Sequence, residues 1–451
     1  MSAVLLTGAT GFLGSYLLRD LLAAGTQVAV LVRSKGDRSA ESRVGRLMDR
    51  FRADGRELPR GPRVVAADLL APDLSLSGDD RAWIAAHCDR ILHCAADLTF
   101  QARKGEPYRT NVDGTRHILR LCERAGIGEF HLVSTAYVCG LREGRILEDE
   151  LECGQAFAND YERSKFLSEL LVRGAPFLER TRVYRPSVIV GDSGTGFNTS
   201  EFGLYALLRV AAHFGTRDRG EVLDVLGLEA SDALNLVPVD WVSAAIAGLV
   251  TRRGDDAECT YHLTSPNPVA AGHLVEVIQA VGFEAAKAPR SALDAALETY
   301  RPYFRNHPEF DTSNARGALP DLPCPTLAGS RLEQLVRYAA GELGLNGTNG
   351  QLALLLCLGG TEEAQLDLTD PLAARPADPG AQGGARARAT CSRATLERLI
   401  DGLITVEEAI YSGRLAIEGD RHGLPGAIGL LEAFVGSERS GRNAPMEVRP
   451  A

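Results

Sequence analysis

The chain has 451 residues, 45% hydrophobic and 24% charged, and its 49 Lys and Arg against 59 Asp and Glu give a formal net charge of −10. That length suits two or three domains at roughly 100–200 residues each, and the composition excludes collagen-like, disordered and small disulfide-stapled chains. An acidic balance argues against nucleic acid as a partner, because binding it requires a basic footprint.

The nine cysteines, at 88, 94, 122, 139, 153, 259, 324, 357 and 391, are odd in number and form no CxxC or Cys/His cluster. Neither a disulfide framework nor a zinc site is expected, so no metal is assigned. The opening MSAVLLTGATGFLG lacks the basic n-region of a signal peptide. The apolar run Leu352 to Leu358 is far too short for a membrane span. The expectation is a soluble, cytoplasmic protein with no transmembrane segment.

In chain order, Ala3–Leu6, Val28–Val32, Arg63–Ala66, Arg90–Cys94, Phe130–Val133 and Val183–Tyr184 read as buried strands. Amphipathic stretches such as Ser15–Ala24 and Val112–Ala125 lie between them. This alternation predicts an α/β fold: a Rossmann-type doubly wound parallel sheet with helices on both faces. Further helices run from Val239 to about Val250 and from Ser330 to about Leu343, in a smaller substrate subdomain mainly within 192–345.

The sequence NGTNG after Leu345 reads as a linker, placing a domain boundary between 345 and 346. Residues 370–390 are rich in Pro, Ala and Gly and read as a loop or partly disordered segment. Leu396, Leu399, Ile400 and Leu403 then follow a helical spacing, Thr405 and Glu408 form a capping box, and Arg414–Gly419 alternates as a strand through Leu415 and Ile417. The tail 346–451 is therefore a separate α+β module.

Chemistry concentrates in three places. Thr7 to Gly14, TGATGFLG, follows the first strand and opens the first helix, with Gly8, Gly11 and Gly14 spaced G-x-x-G-x-x-G around Thr10, Phe12 and Leu13. Such a loop lets backbone turn tightly and approach a pyrophosphate at a helix N-terminus. The second strand ends in Arg33-Ser34-Lys35 where an NAD-binding chain would offer a carboxylate. A guanidinium accepts a 2′-phosphate, so the cofactor expected is NADPH rather than NADH; the alternative is that Arg33 and Lys35 are a solvated strand end. Asp68 and Leu69 follow the third strand within reach of an adenine amino group.

Tyr161 and Lys165 share one helix face, so the ammonium should favour phenolate and lower the tyrosine pKa. Upstream, Ser134 and Thr135 put hydroxyls at a strand end, where one can hold a substrate carbonyl oxygen while Tyr161 donates a proton. His93 and His131 sit in or beside apolar strands and read as structural. No histidine spacing marks Cys94, Cys139 or Cys153 as a nucleophile. Asp97 reads as a local hydrogen-bonder and Asp240 as a helix cap.

Together with HCAAD (93–97), Asn111 in NVDGT, STAYV (134–138), YERSK (161–165) and RPSVIVG (185–191), these motifs resemble the extended short-chain dehydrogenase/reductases over roughly residues 1–340. RPSVIVGDSGTG (185–196) and LVPVDWV (236–242) are most similar to the fatty acyl reductase and thioester reductase branch. The resemblance implies Thr135, counted back from Gly140, as the catalytic hydroxyl, with Ser134 the second choice. It implies that Lys165 binds the nicotinamide ribose, that Asn111 anchors Lys165 through a water, and that Ala95, Pro186, Ser187 and Val188 line the cofactor pocket.

The tail, with LDLTD (366–370) and TLERLIDGLITVEEAIYSGRLAIEGD (395–420), resembles a sterol-carrier-protein type lipid-binding domain. Its alternative is a dimerisation or docking module, the first of which would make the chain a homodimer.

The function implied is NADPH-dependent reduction of an acyl thioester, a hydrophobic acyl or lipid-like chain carried on CoA or an acyl carrier protein, to aldehyde or alcohol. One rival is an NADP-dependent ketone or alcohol dehydrogenase acting on a steroid-like, polyketide or sugar substrate. The other, from a different class, is a non-catalytic NADP-binding lipid carrier.

Overall fold

A computed structural model describes residues 2–35, 38–53, 58, 60–102, 104–198, 219–252, 258–281, 303 and 308–342, and the backbone of 363–369, 386–392 and 415–419. Contacts divide the chain into two units, one of residues 1–207, 217–281 and 297–339 and one of 208–216, 282–296 and 340–451.

The first unit is built on a seven-stranded parallel sheet. Its strands are β1 (Ala3–Thr7), β2 (Val28–Val32), β3 (Arg63–Ala66), β4 (Cys88–His93), β5 (Glu129–Val133), β7 (Arg180–Pro186) and β11 (Glu258–Leu263), in the order β11-β7-β5-β4-β1-β2-β3. Every residue of β1, β2 and β5 is buried, as strands covered on both faces must be. The chain reverses direction across the sheet between β1 and β4, and a crevice opens there at the carboxyl ends of the strands.

Five helices pack around this sheet: α1 (Phe12–Ala23), α2 (Ala40–Ala53), α3 (Gly78–His87), α4 (Gly114–Ala125) and α5 (Asp160–Arg173). On one face Leu17, Leu18 and Leu21 of α1 share a core with Val242, Ile246 and Leu249 of the helix Val239–Thr251. On the other, Ile118, Leu121 and Cys122 of α4 pack with Ile84, Ile91 and Phe130. The helix expected from Val112 starts as a π-helical turn, Arg109–Asp113, before becoming regular α4. Asp240 does not cap its helix; it accepts hydrogen bonds from Ser193 N (2.8 Å) and Ser193 Oγ (2.6 Å) and so holds the loop after β8 (Val188–Val190).

Short strand pairs extend from the sheet. β6 (Arg145–Ile146) pairs with β13 (Glu309–Phe310), β8 with β10 (Leu236–Pro238), and β9 (Ala233–Leu234) with β12 (Val269–Ala270).

In the second unit, β14 (Glu363–Thr369), β15 (Arg386–Ser392) and β16 (Leu415–Gly419) form an antiparallel sheet in the order β14-β15-β16. The strand expected over 414–419 is β16. The loop expected over 370–390 is corrected at its end: residues 386–390 belong to β15, whose pairing on both edges supplies backbone hydrogen bonds that composition does not reveal. The helix through Leu396–Leu403 and the capping box at Thr405 and Glu408 lie outside the described residues. Among the described residues no helix is long and apolar enough to cross a membrane.

Candidate active site

Where β1 ends, Gly8 takes φ +75°, and a Cβ there would lie 2.7 Å from Ala95 N. A Cβ at Gly14 would lie 2.0 Å from the Gly8 carbonyl oxygen. The glycine spacing is therefore a steric requirement that presses the turn against the end of β4. Helix α1 begins with no side-chain cap and no acidic residue in its first turn, so its amides face the crevice unopposed.

Thr7 Oγ1 fixes the opposite wall by accepting from Cys94 N and Ala95 N, each at 3.1 Å. It meets His93 Nδ1 at 2.8 Å, while Thr115 Oγ1 donates to Asn111 O (2.6 Å) and lies 3.2 Å from His93 Nε2. Burial pushes the His93 pKa down to about 3, so the ring is a neutral structural bridge, as its apolar surroundings suggested.

The crevice is a cavity of about 510 Å³. Its lining includes the expected Gly8, Thr10, Gly11, Phe12, Leu13 and Gly14, then Arg33, Asp68, Leu69 and Ala95. It continues past Thr135, Tyr161 and Lys165 to Pro186, Ser187 and Val188. Ser134 also lines it, but its hydroxyl donates to Glu169 Oε2 at 2.9 Å. Thr135 Oγ1 has only a long 3.5 Å bond to Pro186 O and accepts Tyr137 N at 3.3 Å. Of the two neighbouring hydroxyls, Thr135 is the one available to a substrate.

Helix α5 is started by Asn159, whose side chain accepts Glu162 N at 3.0 Å, and this fixes Tyr161 and Lys165 in the first turns. Lys165 Nζ donates to Val133 O at 2.7 Å. Burial lowers its pKa to about 8, opposed by Cys94 and Glu169.

One expectation needs correction, and three others are placed as follows. The Tyr161 phenol is raised, not lowered: burial dominates, with Glu162 and Cys94 adding to it, so the group stays protonated at neutral pH. Asn111 is not among the cavity residues; Nδ2 donates to Asp97 O (2.9 Å) and Ser164 Oγ (2.8 Å) and Oδ1 accepts Asp97 N (2.7 Å). It joins the loop after β4 to α5. Lys35 is also outside the lining, and its backbone closes a bridge with Arg38. The Ser187 hydroxyl lines the cavity but is spent on Asn235 Oδ1 at 2.7 Å.

Sequence reasoning missed Arg43 on α2, whose Nη1 donates to Arg33 O (2.6 Å) and whose Nη2 donates to Thr10 Oγ1 (2.7 Å). Burial and then the nearby Arg33, Arg46 and Arg38 lower its pKa, the mark of concentrated positive charge. It also missed Leu98, Phe100, Tyr137, Leu234, Leu236 and Tyr303, which make the far end of the cavity apolar and aromatic. Phe100 stacks on Tyr303 at 5.7 Å and tilts toward Tyr161 at 6.1 Å.

A glycine cradle that a Cβ would fill, helix-terminal amides and an arginine pair fit a dinucleotide, and a tyrosine–lysine helix beside a strand-end hydroxyl fits hydride chemistry. The fold and site are those of an NAD(P)-dependent oxidoreductase of the extended short-chain type. More narrowly, residues 6–246 match the family model described as "Male sterility protein", an NAD-binding family, and the chain belongs to that family.

The chain is 31% identical over 293 residues to a linear gramicidin synthase polypeptide of Brevibacillus parabrevis, covering 62% of this chain and 6% of that protein. It is 36% identical over 143 residues to fatty acyl-CoA reductase 1 of Homo sapiens, covering 30% of this chain and 28% of that one. The chain thus spans less than half the length of the curated relatives it matches. Among solved structures, the terminal R domain from the myxalamid PKS-NRPS biosynthetic pathway aligns with a TM-score of 0.64 at 28% identity, over 77% of this chain and 92% of that domain.

Proposed function

We propose that the chain reduces an acyl thioester, carried on CoA or a carrier protein, with NADPH as the hydride source. The observation that carries this reading is one cavity joining the arginine-fringed glycine cradle, the Thr135–Tyr161–Lys165 group and an apolar aromatic end. The similarity to a fatty acyl-CoA reductase and to a terminal R domain supports it. NADPH supplies the hydride when bound; Arg33 and Arg43 would hold its 2′-phosphate, and the Gly8–Gly14 backbone its pyrophosphate.

The chain's own residues do the rest. Thr135 and Tyr161 hydroxyls donate to the carbonyl oxygen as it gains negative charge, the dominant electrostatic contribution in such sites. Tyr161, kept protonated by burial, gives its proton to that oxygen. Collapse of the tetrahedral species re-forms the C=O bond and breaks the C–S bond, the hydroxyl proton passing to the departing sulfur; an aldehyde and a thiol remain, and Tyr161 regains its proton from solvent. Lys165 provides the charge that stabilises Tyr161 once it has lost its proton. Asn111, through Ser164, keeps α5 in place. The described part of the tail is a three-stranded antiparallel sheet, and we read 346–451, by its sequence, as the lipid-binding element that presents the acyl chain.

The test is to follow NADPH loss and free thiol together over a panel of acyl-CoA thioesters. Thiol released only with NADPH, at one or two cofactors per thiol, is expected and tells aldehyde from alcohol product. NADPH oxidation with ketones and no thiol from CoA or carrier-bound donors would replace this reading with a ketone dehydrogenase. Binding of cofactor with no turnover at all would leave a carrier.

A further inference from the structure

A second tyrosine faces the same cavity and has no part in the mechanism above. Tyr137 sits in the 3-10 turn Ala136–Cys139, two residues beyond Thr135, and is 7% exposed. Its ring meets Tyr303 edge-on, with centroids 4.7 Å apart and planes at 77°, and Phe310 at 6.1 Å and 88°. Among the described residues, Tyr137 Oη is the one buried side-chain polar atom without a hydrogen-bond partner.

Neighbouring polar groups are satisfied: Tyr303 Oη accepts from Asn159 Nδ2 at 2.8 Å, and the Ser134 hydroxyl is held by Glu169. A buried hydroxyl left unpaired lowers stability, and a phenylalanine would fill the same aromatic packing without that cost. Packing therefore does not account for the oxygen. Burial also raises the phenol pKa, so the group is a donor at every working pH.

We infer that Tyr137 is a substrate-binding donor: its hydroxyl gives a hydrogen bond to an oxygen of the acyl substrate once that substrate enters the aromatic end of the cavity. The inference rests on the reductase reading above and adds a third hydroxyl to the Thr135–Tyr161 pair. The acceptor is either the reacting carbonyl or a second oxygen along the acyl–pantetheine chain, and kinetics separates the two.

The experiment compares wild type, Tyr137→Phe and Tyr137→His with dodecanoyl-CoA and with dodecanal at saturating NADPH. Tyr137→Phe is expected to lose about tenfold or more in kcat/KM, the usual scale for one hydrogen bond to a reacting substrate, while its NADPH affinity is unchanged. A loss in kcat shared by thioester and aldehyde assigns the bond to the reacting oxygen. A loss in KM confined to the thioester assigns it to the pantetheine side. Tyr137→His, which keeps a ring N–H donor, is expected to recover part of the activity. Without substrate, Tyr137→Phe should unfold at the wild-type temperature or above it.

Kinetics within about twofold of wild type would overturn the inference. So would a lower unfolding temperature, since the hydroxyl would then have a partner in the resting fold. Wild-type protein inactive on both substrates and on a carrier-bound acyl donor would bring down the reductase reading and this one with it. An active wild type with an indifferent Tyr137→Phe would remove this inference alone.

Discussion

Lys165 Nζ and the Val133 carbonyl are 2.7 Å apart, so the ammonium of α5 is tied to the last residue of β5, two positions before Thr135. One hydrogen bond thus sets the helix that carries Tyr161 against the strand end that carries the second hydroxyl.

Burial holds the Lys165 pKa at about 8, against 10.5 for the free side chain. The protonated form is the one that stabilises a deprotonated Tyr161, so kcat should fall as pH rises above about 8. A pH–kcat profile checks this. In Lys165→Arg, whose charge persists, that limb should move up by a unit or more, at reduced turnover.

The two adjacent hydroxyls should separate cleanly by mutation. Thr135→Ala should lower kcat by about a hundredfold with little change in stability, as loss of one oxyanion donor does. Ser134→Ala removes a partner from the buried Glu169, which Arg185 Nη2 also contacts at 2.6 Å, and should lower the unfolding midpoint by about 1 kcal/mol with kcat nearly retained. Denaturant titration and steady-state kinetics on both variants read the difference.

Glu162 offers a pH test of stability. Burial pushes its carboxyl up to about 7 from 4.5, although Ala158 N, Tyr303 and Asn159 hydrogen-bond to it. Between those values the folded protein holds a proton that the unfolded chain has lost. This group therefore makes stability fall as pH rises from about 4.5 to 7, with its full penalty present above 7. Glu162→Gln should be about as stable as wild type near pH 5 and more stable by about 2 kcal/mol at pH 8. Thermal melts at the two pH values check it.

Arg33 and Arg43 converge at the end of β2, and Arg43 also holds Thr10 in the glycine loop. If they bind a 2′-phosphate, Arg33→Ala with Arg43→Ala should cut the NADPH-to-NADH preference in kcat/KM by about 10–100-fold, two charge-assisted contacts at 1.5–3 kcal/mol each being lost in part to solvent. An unchanged ratio would return Arg33 to a solvated strand end and leave Arg43 as a support for the glycine loop.

The placement of Gly8, Gly11, Gly14, Tyr161 and Lys165 around one crevice was legible in the sequence because it depends on neighbours close along the chain: a turn, a helix start, one helix face. The strand–helix alternation was legible for the same reason, since buried parallel strands announce themselves as short apolar runs. Choices made between distant segments were not. Ser134 and Thr135 are ranked in the sequence only by resemblance, and what separates them physically is Glu169, from α5, which takes the Ser134 hydroxyl. Arg43 stands ten residues from Arg33 and joins it only when α2 packs beside the glycine loop. Tyr303 comes 144 residues after Asn159 yet closes the aromatic end of the cavity beside Tyr137. The phenol of Tyr161 followed burial instead of its nearest charge, because desolvation depends on everything packed around a group while helix spacing reports one neighbour. Local spacing along the chain therefore names the chemistry, and the packing of remote segments selects which atoms are free to perform it.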